Sequence, residues 1–355
     1  MKEEMKMSED IKTIENNQEL LFIYDAKMCN PNGDPDNENK PRMDSDREIN
    51  LVSDLRLKRY LRDYFEQYLG EPIFVSNIDG RSVTSTEMLT HLATKLKKKD
   101  ISDLVKDEHI LLSHLIDVRF FGATMTIKGG SKPTETKTGV KPDKSGSKKF
   151  TGPVQFNWGY SLNPVNIMES SGITSHFSSE SKNIQGAMGK DYRVDYSLIA
   201  FHGIISAKRA KHTDLTDKDI ALFDQAIINS IPLLATRTKI GQYPRLYLRI
   251  EYTSPEFLLG DLRKYISIES DQKDANGRKV PIRFVSDYSI DVTKLNELLV
   301  KNEDKLKSVQ WWTSSEVRIK GCALPEQFPT LFSSNLQKKF HQIIINPIEK
   351  KESPA

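Results

Sequence analysis

Apolar positions along the chain follow two spacings, one typical of strands and one of helices. The first apolar run, LLFIYDAKM from Leu20, predicts a buried strand that ends at the turn-forming run NPNGDPDNENKPR. Over 51–69 apolar residues recur every three or four positions, which predicts an amphipathic helix terminated by Gly70 and Pro72. DVRFFGATMTI, GPVQFNWGYSL and YSLIAFHGIISAK predict further strands, and 72–115 before them has only weak strand and helix signals.

Two later elements have clearer signatures. HTDLTDKD predicts a helix from Asp217, because Thr216 and Asp219 have the spacing of an N-terminal capping box. The inner face of that helix would be formed by Ile220, Phe223 and Ile227. In LYLRIEY every second residue from Leu246 is apolar, and the residues between them, which include Arg249, form the opposite face of the strand. This alternation predicts a half-buried antiparallel strand. We therefore expect a sheet that is only partly covered.

The order of these elements indicates the fold class. The order is strand, helix, long insertion, further strands, helix and strand. This order is typical of a split βαβ sheet of the ferredoxin or RRM kind, so we predict an α+β fold. We predict one domain over 1–355, with a sheet core from about 20 to 253 and a C-terminal section over 254–355. Insertions are expected at 72–115, 128–150 and 173–195.

Composition places the chain among globular proteins, with 37% hydrophobic and 28% charged residues. No charge-free span approaches the roughly 20 residues that a bilayer requires, and the polar N-terminus does not resemble a signal peptide, so we expect a cytoplasmic protein with no membrane contact. Its two cysteines form no CxxC pair, so we expect neither a disulfide framework nor a zinc site. We predict no metal and no cofactor.

Charge is distributed unevenly. The formal net charge is only +3, so the total does not by itself indicate a nucleic-acid partner. The segment 128–149 nevertheless carries seven lysines against Glu135 and Asp143. It also contains one large apolar residue, Val140, and therefore predicts a basic loop.

The helix over 51–69 carries the first candidate site. Lys58 and Arg62 are four residues apart on one flank, with Arg59 beside them, so the three cations could hold successive phosphates. The alternative is a solvated amphipathic helix in which the aliphatic parts of the Lys and Arg side chains cover the edge of the core. The position after a Gly-rich loop at a strand end, where backbone amides add anion contacts, favours the phosphate site.

The loop NPNGDPDNEN offers a second candidate, since Asp34, Asp36 and Glu38 occupy positions one, three and five of a calcium loop. The rest of that motif is absent, because Asn39 replaces the required Gly and Ser45 the required Glu. A turn with hydrogen bonds from Asn30 and Asn32 is the better interpretation. A metal-dependent nuclease using Asp34 and Asp36 remains an alternative.

The sequence motifs of nucleophilic catalysis, nucleotide binding and dinucleotide binding are absent, so we predict that the chain is not an enzyme.

Two further features each have two interpretations. The segment from Ile173 to Tyr192 is rich in Ser and Gly, and it is either a long hairpin loop or a thumb-like projection. In the second case Met188 would wedge against an unstacked base and Lys190 would hold a phosphate. His202 lies in an apolar strand, where a hydrogen-bonded core histidine is the expected role.

Five segments are informative because of their order and spacing. They are NPNGDPDNENKPRMD, LVSDLRLKRYLR, VRFFGA, TGPVQFNWGYSLNPV and YSLIAFHGIISAK. Within about 20–252 they resemble the Cascade backbone family, the hand-shaped subunit that repeats along CRISPR RNA, and most closely its type I-B and I-C branches. The resemblance implies an RRM-like palm with finger and thumb insertions. It also implies several partners: crRNA, target DNA paired with that guide, further copies of the chain, a large subunit and subunits that cap the guide ends.

The resemblance also implies site residues by position. Those facing the guide backbone would be Asn30, Asn32, Gly33, Lys40, Arg42, Lys58, Arg59 and Arg62. Phe121, Gly122 and the thumb stretch, which contains Met188 and Lys190, would lie against the bases. The lysine-rich loop would contact the target strand or lie apart from the nucleic acid.

Two alternatives remain open. Related type III backbone subunits cleave RNA through a loop aspartate, which would be Asp34 or Asp36 here. A free-standing RRM-like RNA-binding protein is the other, although it would need exposed aromatic residues on a compact sheet of about 90 residues.

Overall fold

A computed structural model of the 355-residue chain describes 12–98, 101–105, 107–127, 146–174, 188–270, 273, 276–277 and 280–345. Its first strands are β1 (Gln18–Cys29), β2 (Gly33–Asp34), β3 (Lys40–Pro41), β4 (Met43–Asp44), β5 (Ile49–Val52), β6 (Gly122–Ile127), β7 (Gly146–Thr151) and β8 (Val154–Phe156). The others are β9 (Gly159–Ser161), β10 (Ile167–Thr174), β11 (Met188–Ile205), β12 (Gln242–Tyr252), β13 (Ser267–Glu269), β14 (Ser289–Asp291), β15 (Leu306–Thr313) and β16 (Phe340–Gln342).

The α-helices alternate with these strands. They are α1 (Asp54–Gln67), α2 (Ser85–Lys95), α3 (Ile101–Val105), α4 (Glu108–His114), α5 (Ile116–Phe121), α6 (Ala207–Thr213), α7 (Asp217–Leu233), α8 (Thr293–Lys301) and α9 (Ser334–Gln337). Short 3-10 helices cover Leu262–Tyr265, Val285–Asp287, Glu303–Lys305 and Pro325–Leu331. Within the described ranges, no helix is both long enough and apolar enough to cross a membrane.

One large sheet organises the molecule. Its strand order is β16-β15-β12-β1-β11-β9-β5-β4, and β8 and β10 also pair with β11. The inner strands β12, β1, β11 and β9 are antiparallel to their neighbours, and α1 and α7 are the crossover helices between them. Helices therefore pack with one central sheet, which confirms the predicted combination of helices and strands.

Both faces of this sheet are buried. On one face Phe22 and Tyr24 of β1 belong to a cluster with residues of α1 and α7. On the other face Leu21 and Ile23 belong to a cluster that the C-terminal section completes, for example with Trp311. The prediction of a partly covered sheet is therefore wrong. The C-terminal section supplies the second layer, and nothing in the alternating pattern of β12 reveals that layer.

Several local predictions are confirmed and others need correction. Thr216 and Asp219 form the predicted capping box of α7. The helix predicted over 51–69 begins only at Asp54, because Ser53 caps it and the preceding residues form β5. DVRFFGATMTI is not one strand. Its first half belongs to α5, and β6 begins at Gly122, which has a φ of 72°.

The segment predicted as an insertion over 72–115 is helical. Helices α2 to α5 pack with β6 and β7 around a core of their own, to which Leu89, Leu112 and Phe150 belong. An ion pair of 2.7 Å between Arg119 and Asp219 fixes this helical module against α7. Residues 128–145 of the predicted lysine-rich loop lie outside the described residues, and the loop's last residues form β7 instead.

Candidate nucleic-acid interface

Three chain segments meet where β1 ends. Cys29 pairs with Val194 of β11, and Ala26 pairs with Gln242 at the start of β12. Beyond this point β10 and β11 continue as a two-stranded hairpin. We call the rim the surface formed by the loop 30–53, the first turn of α1 with Arg56, Trp158, the root of this hairpin and the segment 234–241. It is the part of the sheet where polar loops, and not packed layers, surround the strand ends.

The rim loop is shaped by its own side chains. The buried Asn30 donates a hydrogen bond of 2.7 Å to the carbonyl of Asn39. The Oδ1 atom of Asn32 accepts one of 2.8 Å from the backbone N–H of Ser53, the cap of α1. A Cβ atom at Gly33 would overlap the side chain of Asn39. The hydrogen-bonded turn predicted from the asparagines is therefore present, and Asn30, Asn32 and Gly33 set its path.

Two predicted cations of this loop face an open cleft. Lys40 lies 3.5 Å from Glu38, and its ammonium is 4.8 Å from the centre of the Tyr192 ring. Arg42 pairs with Asp34 at 3.1 Å, and its guanidinium is 5.9 Å from the centre of the Trp158 ring. Lys40, Arg42 and Trp158 line a cleft of about 450 Å³. Trp158 is 47% exposed, so the cleft combines cations with a free aromatic surface.

The hairpin is tied to the loop through Glu38. Tyr192 donates a hydrogen bond of 2.7 Å to Glu38, and the Lys190 ammonium lies 4.0 Å from the same carboxylate. Lys190 is also 3.6 Å from Glu169 and remains 58% exposed at its side chain. The backbone of Met188 pairs with Thr174, whereas its side chain lies outside the described residues. The proposed wedge is therefore untested, and 175–187 likewise lie outside them.

The basic helix places two of its three predicted cations inward. Lys58 and Arg62 are 6% and 8% exposed, and each of the three predicted cations already has a carboxylate partner. The pairs are Lys58 with Asp54 at 3.1 Å, Arg59 with Asp63, and Arg62 with Asp117 at 3.1 Å. Two of these pairs lie within α1, and the Arg62–Asp117 pair joins α1 to α5. Their role as guide ligands stays a prediction.

Phe121 and Gly122 are also internal. Phe121 is buried, and the guanidinium of Arg62 lies 5.0 Å from the centre of its ring. A Cβ atom at Gly122 would overlap the carbonyl of Phe150, and the positive φ of Gly122 already favours glycine. Both residues fix the junction of α5, β6 and β7. Direct contact of either with a base stays a prediction.

Sequence analysis missed two cations of the rim, Arg56 and Lys239. The Nε atom of Arg56 is buried without a hydrogen-bond partner, and its guanidinium stacks 3.9 Å from the centre of the Tyr60 ring. Lys239 donates a hydrogen bond of 2.5 Å to the carbonyl of Asn30. Neither cation has a carboxylate partner within the part of the chain that the structure describes. The basic run TRTKIG directly before β12 was the available signal.

The electrostatics of the rim favour an anion. Burial and the nearby charge of Arg56 lower the pKa of Lys239 to about 8. Arg193 and Arg237 lie 2.7 and 3.4 Å from one shared carboxylate, that of Asp191. Those two arginines share one carboxylate, whereas Arg56 and Lys239 have none within the described residues. A phosphate group would supply the missing negative charge and the missing hydrogen-bond acceptors.

Asp34 and Asp36, the suspected catalytic acids, belong to the turn. The Asp34 carboxylate accepts a hydrogen bond of 3.3 Å from the backbone N–H of Asp36, in addition to its ion pair with Arg42. Among the described residues, no three or more His, Cys, Asp or Glu side chains converge as a metal site would require. The Asp34 carboxylate thus has a structural role in holding Arg42.

Comparison with known proteins identifies the family. The family model of the CRISPR-associated protein Cas7 matches residues 16–293. A CRISPR-associated protein Cas7 from Haloferax volcanii is 33% identical over 298 residues, which cover 83% of this chain and 86% of that protein.

Two solved structures are similar at low sequence identity. A chain of a pre-nicking CRISPR RNA-guided surveillance complex has a TM-score of 0.49 and 11% identity, covering 86% of this chain and 96% of its own. A chain of another CRISPR RNA-guided surveillance complex has a TM-score of 0.45 and 13% identity, covering 84% and 88%. The family match and the Haloferax relative each extend over most of the chain, and this protein belongs to the Cas7 family of CRISPR-associated proteins.

Proposed function

We propose that this chain is the crRNA-binding backbone subunit of a type I, I-B-like CRISPR surveillance complex. It would polymerise along the guide and present the guide for pairing with target DNA in antiviral defence. Membership of the Cas7 family supports this proposal. The observation that carries it is the rim, where Arg56 and Lys239 lack carboxylate partners within the described structure. A phosphate backbone supplies such partners without any dependence on base sequence.

The hand-shaped architecture is part of the proposal. The central sheet with α1 and α7 would be the RRM-like palm, the helical module with β6 and β7 the finger, and the β10–β11 hairpin the thumb. A simple RRM stacks bases on its sheet aromatics, but those of this sheet, such as Tyr24 and Tyr196, are buried. The guide would therefore run along the rim at the strand ends.

Roles within the rim follow from exposure and charge. Arg56 and Lys239 would hold one stretch of the guide backbone, and Lys40, Arg42 and Lys190 would contact neighbouring phosphates. Trp158 has the free ring surface on which a base can stack. Met188, the first residue of β11, is proposed to separate bases.

Assembly is proposed to supply most of the affinity. A chain that repeats along one RNA neutralises a few phosphates per copy, and binding accumulates along the filament. The contact between successive copies would be heterologous, so it generates a helix and not a closed ring. Other subunits, among them a large subunit and subunits at the guide ends, would terminate the filament.

The first prediction concerns the unpaired cations. The double variant Arg56→Gln/Lys239→Gln should weaken binding of labelled single-stranded RNA at least tenfold, whatever its sequence. It should also lower the slope of log affinity against log salt by about 1.4, because each lost phosphate contact on a single strand removes about 0.7. Fluorescence anisotropy at several salt concentrations measures both quantities.

The control for this variant is Lys294→Gln/Lys301→Gln, which removes two exposed charges from α8. That variant should bind RNA as the wild type does. An equal loss in both variants would mean that only total charge matters, and no loss in either would remove the rim from the binding site.

The second prediction concerns pH. Because the pKa of Lys239 is about 8 in the free protein, its charge disappears as the pH rises through 8. A bound phosphate requires that charge, so RNA affinity should fall about tenfold between pH 7 and pH 9 at constant ionic strength. Lys239→Arg stays charged over this range and should flatten the profile. Identical profiles for the two proteins would show that Lys239 does not contact the guide.

The third prediction concerns catalysis, since we propose a binding protein and not an enzyme. Incubation of the wild type with labelled RNA and Mg²⁺ should leave the RNA intact. Asp34→Asn/Asp36→Asn should behave in the same way and should bind RNA at least as tightly, because the change releases Arg42 from its ion pair. Metal-dependent cleavage that this variant abolishes would establish the RNA-cleaving alternative.

A further inference from the structure

An arginine of the C-terminal section reaches across to the rim. Arg263 lies in the short 3-10 helix Leu262–Tyr265 and is only 6% exposed. Its Nη1 atom donates a hydrogen bond of 2.7 Å to the backbone carbonyl of Trp158. Trp158 supplies an exposed aromatic ring to the rim, and it lies between β8 and β9 without belonging to either strand. The C-terminal section therefore contacts the rim directly at Trp158.

The guanidinium of Arg263 is itself held in place. Its Nε and Nη2 atoms donate hydrogen bonds of 2.8 and 2.7 Å to the two carboxylate oxygens of Asp261. The same guanidinium lies over the ring of Tyr160, 4.3 Å from the ring centre. A planar group that is bonded along one edge and covered on one face has little freedom to rotate. The Nη1 atom therefore holds the carbonyl of Trp158 at a defined place.

The turn that carries Trp158 is also held on either side of this residue. The backbone N–H of Asn157 donates a hydrogen bond of 3.0 Å to the carbonyl of His202. A Cβ atom at Gly159 would overlap an aromatic ring of β11, so the backbone there packs directly against the core. Arg263 fixes the carbonyl between these two points. The backbone of the turn is thus held at three successive residues, which gives the Cα–Cβ bond of Trp158 a fixed direction.

This direction matters because the ring of Trp158 lines the cleft of the rim. Lys40 and Arg42 line the same cleft, and the Arg42 guanidinium lies 5.9 Å from the centre of the ring. A base that stacks here needs the ring face in one orientation beside the phosphate contacts. A side chain that is ordered only on binding weakens the complex by the entropy it loses. An arginine that orders the ring in advance therefore strengthens RNA binding without touching RNA.

We propose that Arg263 is a positioning residue for RNA binding and that it acts through Trp158. It holds the backbone carbonyl of Trp158, so the ring is already oriented for a base when the guide binds. The proposal rests on the proposed function, because a base of the guide is taken to stack on Trp158. It gives a part in binding to the C-terminal section, in which sequence analysis identified no site residue.

The test uses Arg263→Gln in the full chain, with Arg318→Gln as the control. Arg318 is an exposed arginine of the same section that also donates hydrogen bonds to backbone carbonyls, those of Ser286 and Tyr288. Thermal unfolding is followed for every variant, and binding is measured well below the lowest midpoint. Arg263→Gln should bind labelled single-stranded RNA threefold to tenfold more weakly than the wild type. Arg318→Gln should bind it as the wild type does.

Two readouts separate positioning from other roles of Arg263. The slope of log affinity against log salt should not change in Arg263→Gln, because a residue that contacts no phosphate releases no counterion. In a Trp158→Ala background the same change should have almost no further effect, because the ring that it orients is absent. Equal losses in both backgrounds would overturn the proposal. A slope lowered by about 0.7 would also overturn it, by making Arg263 a phosphate ligand.

The controls can contradict the proposal as well. Wild-type affinity in Arg263→Gln would overturn it, and so would an equal loss in Arg318→Gln, which would indicate a general loosening of the C-terminal section. Should Arg263→Gln not fold, Arg263→Lys takes its place in every measurement. A lysine keeps the charge beside Asp261 but lacks the planar fork that reaches both Asp261 and Trp158, so a loss of affinity is expected there too.

Fluorine NMR tests the positioning itself. In protein labelled with fluorotryptophan, the signal of Trp158 is identified by its loss in Trp158→Phe. Arg263→Gln should shift or broaden this signal in the free protein and leave the signals of Trp311 and Trp312 in place. An unchanged Trp158 signal would overturn the proposal, even with RNA binding weakened.

Failure of the proposed function has a different signature. A wild type that binds no RNA would remove that function, and with it the stacking role of Trp158, whatever Arg263 does to the fluorine signal. A wild type that binds RNA, with Arg263→Gln equal to it, would remove only the role of Arg263.

Discussion

Burial of both faces of the central sheet determines which surfaces of this protein a ligand can reach. Tyr24 on one face and Tyr196 on the other are almost inaccessible, so the aromatic residues of the sheet stabilise the core. At one end of these strands, loops with polar side chains line a cleft that contains Lys40, Arg42 and Trp158. The side chains in the middle of the strands therefore stabilise the core, and the side chains near the strand ends are the ones available to a ligand.

The rim holds like charges close together, which is electrostatically unfavourable in the free protein. Lys239 is partly desolvated beside Arg56, which is why its pKa is lowered, and the Nε atom of Arg56 has no partner. Elsewhere in the described chain buried cations are neutralised, as Arg249 is by Asp224 at 2.6 Å. A bound phosphate would relieve this repulsion, which is consistent with the proposed role in RNA binding.

Sequence patterns predicted the elements whose signals are local. The strand from Leu20 and the capped helix from Asp217 depend on neighbouring residues, and both are present. Features that depend on distant partners were not predictable. The inward pairing of Arg62 needs Asp117, and the proximity of Arg56 to Lys239 arises only when α1 and the loop before β12 meet. The second layer over the sheet was missed for the same reason.

The central claim is that RNA runs along the rim and not over the sheet. Ultraviolet cross-linking of the RNA-loaded protein, followed by mass spectrometry of the peptides, tests it most directly. The account predicts cross-links at Trp158, in the segment 234–241 and in the β10–β11 hairpin. Cross-links confined to the C-terminal section, with none in these three places, would contradict it.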